Sequence, residues 1–135
     1  IDPQTIADMQ QRLHTKLGAA MDRIALYEEN MVPDTDTLVI SYGITCRAVT
    51  DAARALAANG RSGSTLSLKT LWPVPEALLL EKAARFKRIV VIEMNLGQYV
   101  NEIRRVLCGK PVDFYGQMNG ILIPPAKIME AIEND

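Results

Sequence analysis

Short apolar runs that each lead into a helical pattern constrain the fold of this chain more than any other feature. After each of the first three runs, apolar side chains recur every three or four positions, which is typical of a helix packed on one face. Strands that alternate with such helices need crossover connections, and these lay neighbouring strands parallel. The sequence therefore predicts a three-layer α/β/α fold with a mostly parallel sheet. The strand-like runs cover residues 38–42, 64–68, 88–93 and 112–115.

A long amphipathic helix precedes this alternating pattern. Asp2 followed by Pro3 is a signal for the start of a helix, because the first side chain can cap it and the second fits its first turn. The apolar positions that follow have helical spacing, so we expect this stripe to be buried, although its length leaves room to dock a neighbouring domain. The stripe consists of Ile6, Met9, Leu13, Leu17, Ala20, Ile24 and Tyr27.

Local signals also mark the ends of the later helices. Thr45 is placed to cap the helix that follows the first strand, and Asn59-Gly60 can end that helix in a left-handed turn. Pro75 suits the first turn of the next helix, and Gly109 is expected to stop the helix after the third strand.

Length and composition limit the classes of function. The 135 residues fit one domain, and 15 basic against 16 acidic side chains give no electrostatic basis for binding nucleic acid or an anionic membrane. No apolar run has the length of a bilayer span, and no signal peptide is recognisable, so we expect a cytoplasmic protein. Cys46 and Cys108 are far apart, which fits buried thiols in a reducing compartment.

Several cofactor and metal chemistries lack their motifs in this sequence. There is no GxGxxG and no P-loop, and the Gly-Asp-Gly signature that holds the Mg²⁺ and diphosphate of thiamine diphosphate is missing. Two cysteines cannot supply the four thiolates of an ordinary iron–sulfur cluster. The single histidine, His14, has no other ligand types beside it, and we interpret it as a surface residue of the first helix.

Three loops follow the predicted strands at residues 42–45, 70–75 and 93–98, where parallel strands end and where ligands or partner domains bind. Glu93 ends a run that should be buried, so its carboxylate needs hydrogen-bond donors. The free amides opening the helix at Gln98 can supply them, and Gly97 allows a positive φ. We favour Glu93 and Asn95 as braces of this turn; alternatively, these groups face a cofactor or another subunit. Trp72 is an interface anchor if exposed and a plug of the sheet edge if buried.

The loops also carry a resemblance to a known family. The segments "LVISYG", "LKTLWPVPEALL" and "VVIEMNLGQYVNEIRRVL", followed by "GILIPPAKIMEAI", closely resemble the C-terminal domain of the α subunit of 2-oxoacid:ferredoxin oxidoreductases, the 2-oxoglutarate and pyruvate synthase group. The resemblance covers nearly the whole chain. Val74 stands where this family commonly has Phe.

The resemblance implies a transketolase C-terminal-like fold over residues 33–135, with residues 1–32 as a linker or docking helix. Because Ile1 leads almost directly into a long helix without an initiator Met, we expect the C-terminal piece of something larger or a processed product. It implies a thiamine diphosphate-dependent enzyme that decarboxylates a 2-oxoacid oxidatively to acyl-CoA and reduces ferredoxin. Thiamine diphosphate, Mg²⁺ and iron–sulfur clusters would be held elsewhere in the complex, and no catalytic or cofactor-binding residue is expected in this chain.

The resemblance also implies partners and an interface. The expected partners are the preceding domain of the same α subunit, a thiamine-binding β subunit and iron–sulfur or γ subunits, with ferredoxin and coenzyme A serving the complex. Two alternatives stay open: the corresponding domain of another thiamine enzyme, either a transketolase or a dehydrogenase E1 component, and an independent small-molecule-binding α/β module. The expected interface or supporting residues are Tyr42, Gly43, Trp72, Pro73, Glu93, Asn95, Gly97 and Gln98.

Overall fold

The computed structural model describes residues 2–133, which form five helices and five strands. The helices are α1 (Pro3–Ile24), α2 (Thr45–Ala58), α3 (Glu76–Ala83), α4 (Gln98–Val106) and α5 (Pro125–Glu133). The strands are β1 (Tyr27–Asn30), β2 (Thr37–Tyr42), β3 (Ser64–Leu68), β4 (Arg88–Glu93) and β5 (Val112–Gly116). Within the described residues, no helix is both long enough and apolar enough to cross a bilayer.

The sheet confirms the predicted fold class. Its strand order is β1-β3-β2-β4-β5, and every neighbouring pair is parallel except β1 with β3. Alternate residues of the central strands enter two separate cores. Ile40 and Val91 pack with α3 and α4, whereas Val39 and Val90 pack with α2 and α5. Because both faces are covered, β2 and β4 are continuous apolar runs rather than alternating ones.

The expected burial of the first helix is wrong. Asp2 caps α1 as predicted, accepting a hydrogen bond from the Thr5 amide at 3.1 Å. However, α1 contains no buried residue, and Ile6, Met9 and Leu13 are each more than 40% exposed. The helix lies beside the α/β unit along one flank, where Leu13 and Leu17 line a groove without being buried.

β1 was not predicted from the sequence. Its four residues are all exposed and show no apolar alternation, because β1 is an edge strand held by backbone pairing with β3. Tyr27 therefore belongs to this strand and not to the first helix, which ends at Ile24.

The ends of α2 and α4 match the signals in the sequence, whereas the starts of α2 and α3 differ from the predicted ones. Gly60 and Gly109 have φ angles of 72° and 91° and follow α2 and α4 as predicted. Thr45 is wrong as a cap: it is the first residue of α2, and no side-chain hydrogen bond caps that helix. Pro75 precedes the first turn of α3 instead of lying in it.

The cysteines also differ in part from expectation. Both are free thiols, but Cys46 is half-buried and Cys108 is exposed, so the prediction of two buried thiols is wrong. Cys108 follows the end of α4, where the chain turns at the surface.

Candidate functional site

Three loops that follow parallel strands come together at the carboxyl edge of the sheet. They connect β2 to α2, β3 to α3 and β4 to α4. The third loop runs from Met94 to Gly97, as predicted. Gly97 has the positive φ of 92° expected at the start of α4. This left-handed residue turns the chain so that the first amides of α4 face back towards Glu93.

Glu93 is the centre of the polar contacts at this edge. Its side chain is 1% exposed, and its carboxylate accepts hydrogen bonds from the amides of Val100 at 2.6 Å and Tyr99 at 3.1 Å. The Tyr42 hydroxyl donates a third bond to it at 2.9 Å. The charge lies at the positive end of the helix dipole, which further stabilises it. The prediction that Glu93 takes the free amides of this helix is confirmed.

Asn95 braces the same loop, as predicted. Its side-chain oxygen accepts hydrogen bonds from the amides of Gly97 at 2.7 Å and Gln98 at 3.1 Å, and its amide group donates to the Tyr42 hydroxyl at 2.7 Å. The Asn101 side chain also donates to the Gly97 carbonyl at 2.8 Å. The turn between β4 and α4 is thus held by side chains at both of its ends.

Tyr99 joins the third loop to the other two, a role that the sequence did not reveal. Its hydroxyl donates to the Leu71 carbonyl at 3.2 Å, and its ring meets that of Tyr42 edge-on, with centroids 5.5 Å apart. Tyr99 lies beside Val100 on the buried face of α4, and its hydroxyl was an available signal that a polar partner is needed. We call Tyr42, Glu93, Asn95 and Tyr99 the loop-bracing cluster.

The tyrosines of this cluster are held in their neutral form. Burial, reinforced by the hydrogen bond and charge of Glu93, raises the pKa of Tyr42 to about 12. Burial likewise raises the pKa of Tyr99 to about 12, with smaller contributions from Glu102, Tyr42 and Glu93. Ionising either phenol would place a second negative charge close to the buried Glu93 carboxylate.

The start of α4 does not fit a diphosphate or its metal ion. A helix N-terminus binds anions through its free amides, but the amides of residues 97–100 already donate to Asn95 and Glu93. The Glu93 carboxylate also occupies the place where an anion would lie. Within residues 2–133, no group of three His, Cys, Asp or Glu side chains is arranged to hold a metal ion.

Large apolar side chains cover the outside of this braced edge. Trp72 is 78% exposed and Leu96 is 74% exposed, the highest values among the large apolar residues of the described chain. Trp72 therefore meets the condition set for an interface anchor. Sequence reasoning did not predict the exposure of Leu96 or of the other apolar loop residues. Their position inside loops that contain Gly or Asn was an available signal. The other exposed apolar residues in loops after parallel strands are Ile44, Met118, Ile121 and Leu122.

The remaining predicted residues lie in the same loops but outside the cluster. Pro73 follows Trp72 through a cis peptide bond and is half-buried. Gly43 is exposed and has a positive φ of 61°. Gln98 is exposed, and only its backbone amide contributes to the hydrogen bonds of the turn.

This parallel sheet, with its strand-end loops, defines a transketolase-like α/β domain. The fold superposes on a split-gene transketolase solved as an inactive β4 tetramer with a TM-score of 0.60 and 20% identity, over 78% of this chain and 40% of that one. The chain belongs to the family described as pyruvate:ferredoxin oxidoreductase core domain II, which matches residues 35–128.

Relatives of known name resemble nearly the whole chain. The 2-oxoglutarate synthase subunit KorA of Methanothermobacter thermautotrophicus is 32% identical over 97% of this chain and 35% of its own length. The ketoisovalerate oxidoreductase subunit VorB of the same organism is 27% identical over 98% of this chain and 38% of its own. The chain therefore spans little more than a third of the length of these relatives.

A solved enzyme shows the same fold at higher similarity. The 2-oxoglutarate:ferredoxin oxidoreductase from Magnetococcus marinus, with 2-oxoglutarate, coenzyme A and succinyl-CoA bound, superposes with a TM-score of 0.83 and 28% identity. The match covers 98% of this chain and 24% of that chain. The α1 segment is thus included in the similarity, together with the α/β unit.

Proposed function

We propose that this chain is the C-terminal assembly domain of the α subunit of a thiamine diphosphate-dependent 2-oxoacid:ferredoxin oxidoreductase. The whole enzyme would convert a 2-oxoacid and coenzyme A into an acyl-CoA and carbon dioxide, and would reduce ferredoxin. In this proposal residues 1–32 form a linker and docking segment and residues 33–135 the α/β domain. The linker segment ends as an added edge strand of the sheet, since β1 pairs with β3.

One observation carries this proposal: the carboxyl edge of the sheet is internally satisfied in its polar groups and apolar on its outside. The loop-bracing cluster uses the carboxylate of Glu93 and the first amides of α4 within the chain. Trp72 and Leu96 extend outwards from loops that this cluster holds rigid. A rigid surface with exposed aromatic and aliphatic side chains suits the binding of another protein surface, because little entropy is lost on docking.

The role of this domain would therefore be to pack against and orient the catalytic parts. Its partners would be the preceding domain of the α subunit, a thiamine-binding β subunit and the iron–sulfur or γ subunits. Thiamine diphosphate, Mg²⁺ and the clusters would be held by those parts. This division agrees with the start of α4, where the amides are already taken by Glu93 and Asn95.

Affinity purification of the tagged, chromosomally encoded protein tests the proposal. We expect a thiamine-binding subunit and an iron–sulfur subunit to purify with it. The double variant Trp72→Ala/Leu96→Ala should retain less than about a tenth of the partner seen for the wild type, since buried anchor residues commonly contribute 2 kcal/mol or more. Leu80→Ala, which removes a 53% exposed side chain from α3, is the matched control and should retain it.

The proposal is wrong if the wild-type protein purifies without oxidoreductase subunits. Partners of another thiamine enzyme, such as the second half of a transketolase, would identify that alternative. If the free protein instead binds coenzyme A or a 2-oxoacid in a saturable way, and loses the binding in Gln98→Ala, it is an independent small-molecule module.

A further inference from the structure

The long first helix carries a second exposed apolar surface, beside the one that Trp72 and Leu96 form. α1 has 22 residues, none of them buried. A helix with few tertiary contacts is only marginally stable in water, so the apolar face of such a helix is normally covered. The exposed apolar side chains, here called the α1 stripe, are Ile6, Met9, Leu13 and Leu17, which are 39% to 47% exposed.

The α1 stripe is continuous with the proposed docking edge. On one side of the stripe, Leu13, Leu17 and Met21 line a groove of about 480 Å³ whose other wall is formed by Trp72 and Val74. This side of the helix therefore faces the α/β unit. Because Leu13 and Leu17 belong to the stripe, the stripe forms one wall of this groove, and a segment laid along it would also touch the Trp72 loop.

A ridge of positive charge runs along the other side of the stripe. Arg12 and Lys16 are four residues apart and so lie on one face of the helix, and Arg23, about three turns beyond Arg12, falls on the same face. All three side chains are exposed. Asp8 lies one turn before Arg12, but no ion pair joins any of the three cations to a residue between 2 and 133. An occupant of the stripe would meet these cations along one of its edges.

This charge pattern selects between possible occupants. In a two-fold pair of antiparallel α1 helices, the same flank of each copy faces its symmetry mate, so one basic ridge would lie against the other. In a parallel pair the ridge would instead face the flank that already adjoins Trp72. A second copy of this chain is therefore a poor occupant. An amphipathic helix with Asp or Glu along one edge complements both the stripe and the ridge.

We propose that the α1 stripe and its basic ridge bind an amphipathic, acidic-edged helix of a separate subunit. Charge along the rim of an interface mainly speeds and selects encounters between molecules that diffuse independently, which favours a separate polypeptide over a tethered domain. This inference rests on the proposed function, in that it requires the chain to work in a multisubunit assembly.

Zero-length carbodiimide cross-linking of the purified native assembly is the first part of the test. The reagent joins an amine to a carboxylate in direct contact, and Lys16 is the only lysine of the basic ridge. Mass spectrometry should find Lys16 linked to Asp or Glu of another subunit. Links from Lys16 only to this chain's own sequence, or none in an intact assembly, would overturn the inference.

Two charge variants form the second part. Arg12→Gln/Lys16→Gln removes two positive charges beside the stripe and should weaken retention of the cross-linked subunit about fivefold at low salt. The control Gln4→Glu/Gln11→Glu makes the same net charge change on the face opposite the stripe, at positions that are not three or four residues from a ridge cation, and should match the wild type. Equal behaviour of the two variants contradicts the inference. If no multisubunit assembly can be purified, the proposed function is contradicted together with this inference. If the assembly is intact but Lys16 forms no cross-link to another subunit, only this inference is contradicted.

Discussion

At the scale of single residues, the account depends on one buried carboxylate. Glu93 accepts three hydrogen bonds from two backbone amides and a phenol, and it lies in a region without access to water. Such a carboxylate is stabilising only while its donors stay in place, because a buried acceptor or donor that loses its partner carries a desolvation penalty. The carboxylate therefore couples the position of α4 to that of the β2–α2 loop.

Replacing Glu93 should destabilise the fold. We expect Glu93→Ala to lower the free energy of unfolding by about 2 to 4 kcal/mol, because it leaves the amides of Tyr99 and Val100 and the Tyr42 hydroxyl without their acceptor. Glu93→Gln, which keeps one oxygen and the size of the side chain, should lose less. Urea unfolding followed by circular dichroism measures both, and an unchanged midpoint for Glu93→Ala would exclude the bracing role.

The raised pKa values of Tyr42 and Tyr99 predict a loss of stability in alkali. Well below pH 10.0 both phenols are neutral in the folded and unfolded chain, so the stabilisation is fully present. Between pH 10.0 and about 12 the unfolded chain ionises while the folded one does not, and stability falls as pH rises. Urea midpoints across this range should decrease, and less steeply in Tyr42→Phe. A decrease of the same steepness in that variant would show that Tyr42 does not contribute.

At the scale of secondary-structure elements, the turn into α4 depends on the backbone freedom of Gly97. Its φ is 92°, and a Cβ atom there would lie 3.1 Å from Val100 Cγ1 and 3.4 Å from the Phe114 ring. We expect Gly97→Ala to lower the free energy of unfolding by about 1 to 2 kcal/mol, the usual cost of a left-handed conformation for a residue with a Cβ atom.

Gly18→Ala is the matched control for this prediction. Gly18 lies within α1, and a Cβ atom there would have no neighbour within 4 Å. Alanine is the better helix former by about 1 kcal/mol, so helical content should be kept or raised. If Gly97→Ala were as stable as the wild type, the left-handed turn would not be needed to direct the α4 amides towards Glu93.

Elements with strong local signals could be predicted, and those set by tertiary contacts could not. β4 and the loop after it were predicted with their observed limits, because a β-branched run, a Gly and a helical pattern follow in order. β1 has no such pattern, since its pairing with β3 uses only the backbone. The burial of α1 was predicted wrongly because its periodicity reveals an apolar face but not what covers it.

In the candidate site, too, local contacts could be predicted and long-range contacts could not. The contact between Glu93 and the α4 amides is local, so the physics of a helix N-terminus was enough to predict it. The bonds from Tyr42 to Glu93 and Asn95 join residues more than 50 positions apart and follow only from the neighbouring positions of β2 and β4 in the sheet. The exposure of Leu96 depends on how the whole turn is oriented.

At the scale of the whole molecule, the two proposals give the domain two adjoining surfaces for other proteins. The carboxyl edge of the sheet offers Trp72 and Leu96 on rigid loops, and α1 adds an apolar stripe with a basic ridge. Both meet at the groove beside Trp72. In a multisubunit enzyme, this arrangement would let one small domain hold neighbouring parts in fixed relative positions without contributing a catalytic group.

Hydroxyl-radical footprinting of Trp72 in the native assembly tests this central claim most directly. The oxidation rate of Trp72 should fall at least about tenfold between the dissociated protein and the purified assembly, since an interface anchor loses its contact with water. Leu80, 53% exposed on α3 and outside both proposed docking surfaces, is the internal reference for reagent dose. Equal oxidation of Trp72 in both states would contradict the assignment of the carboxyl edge as the docking surface.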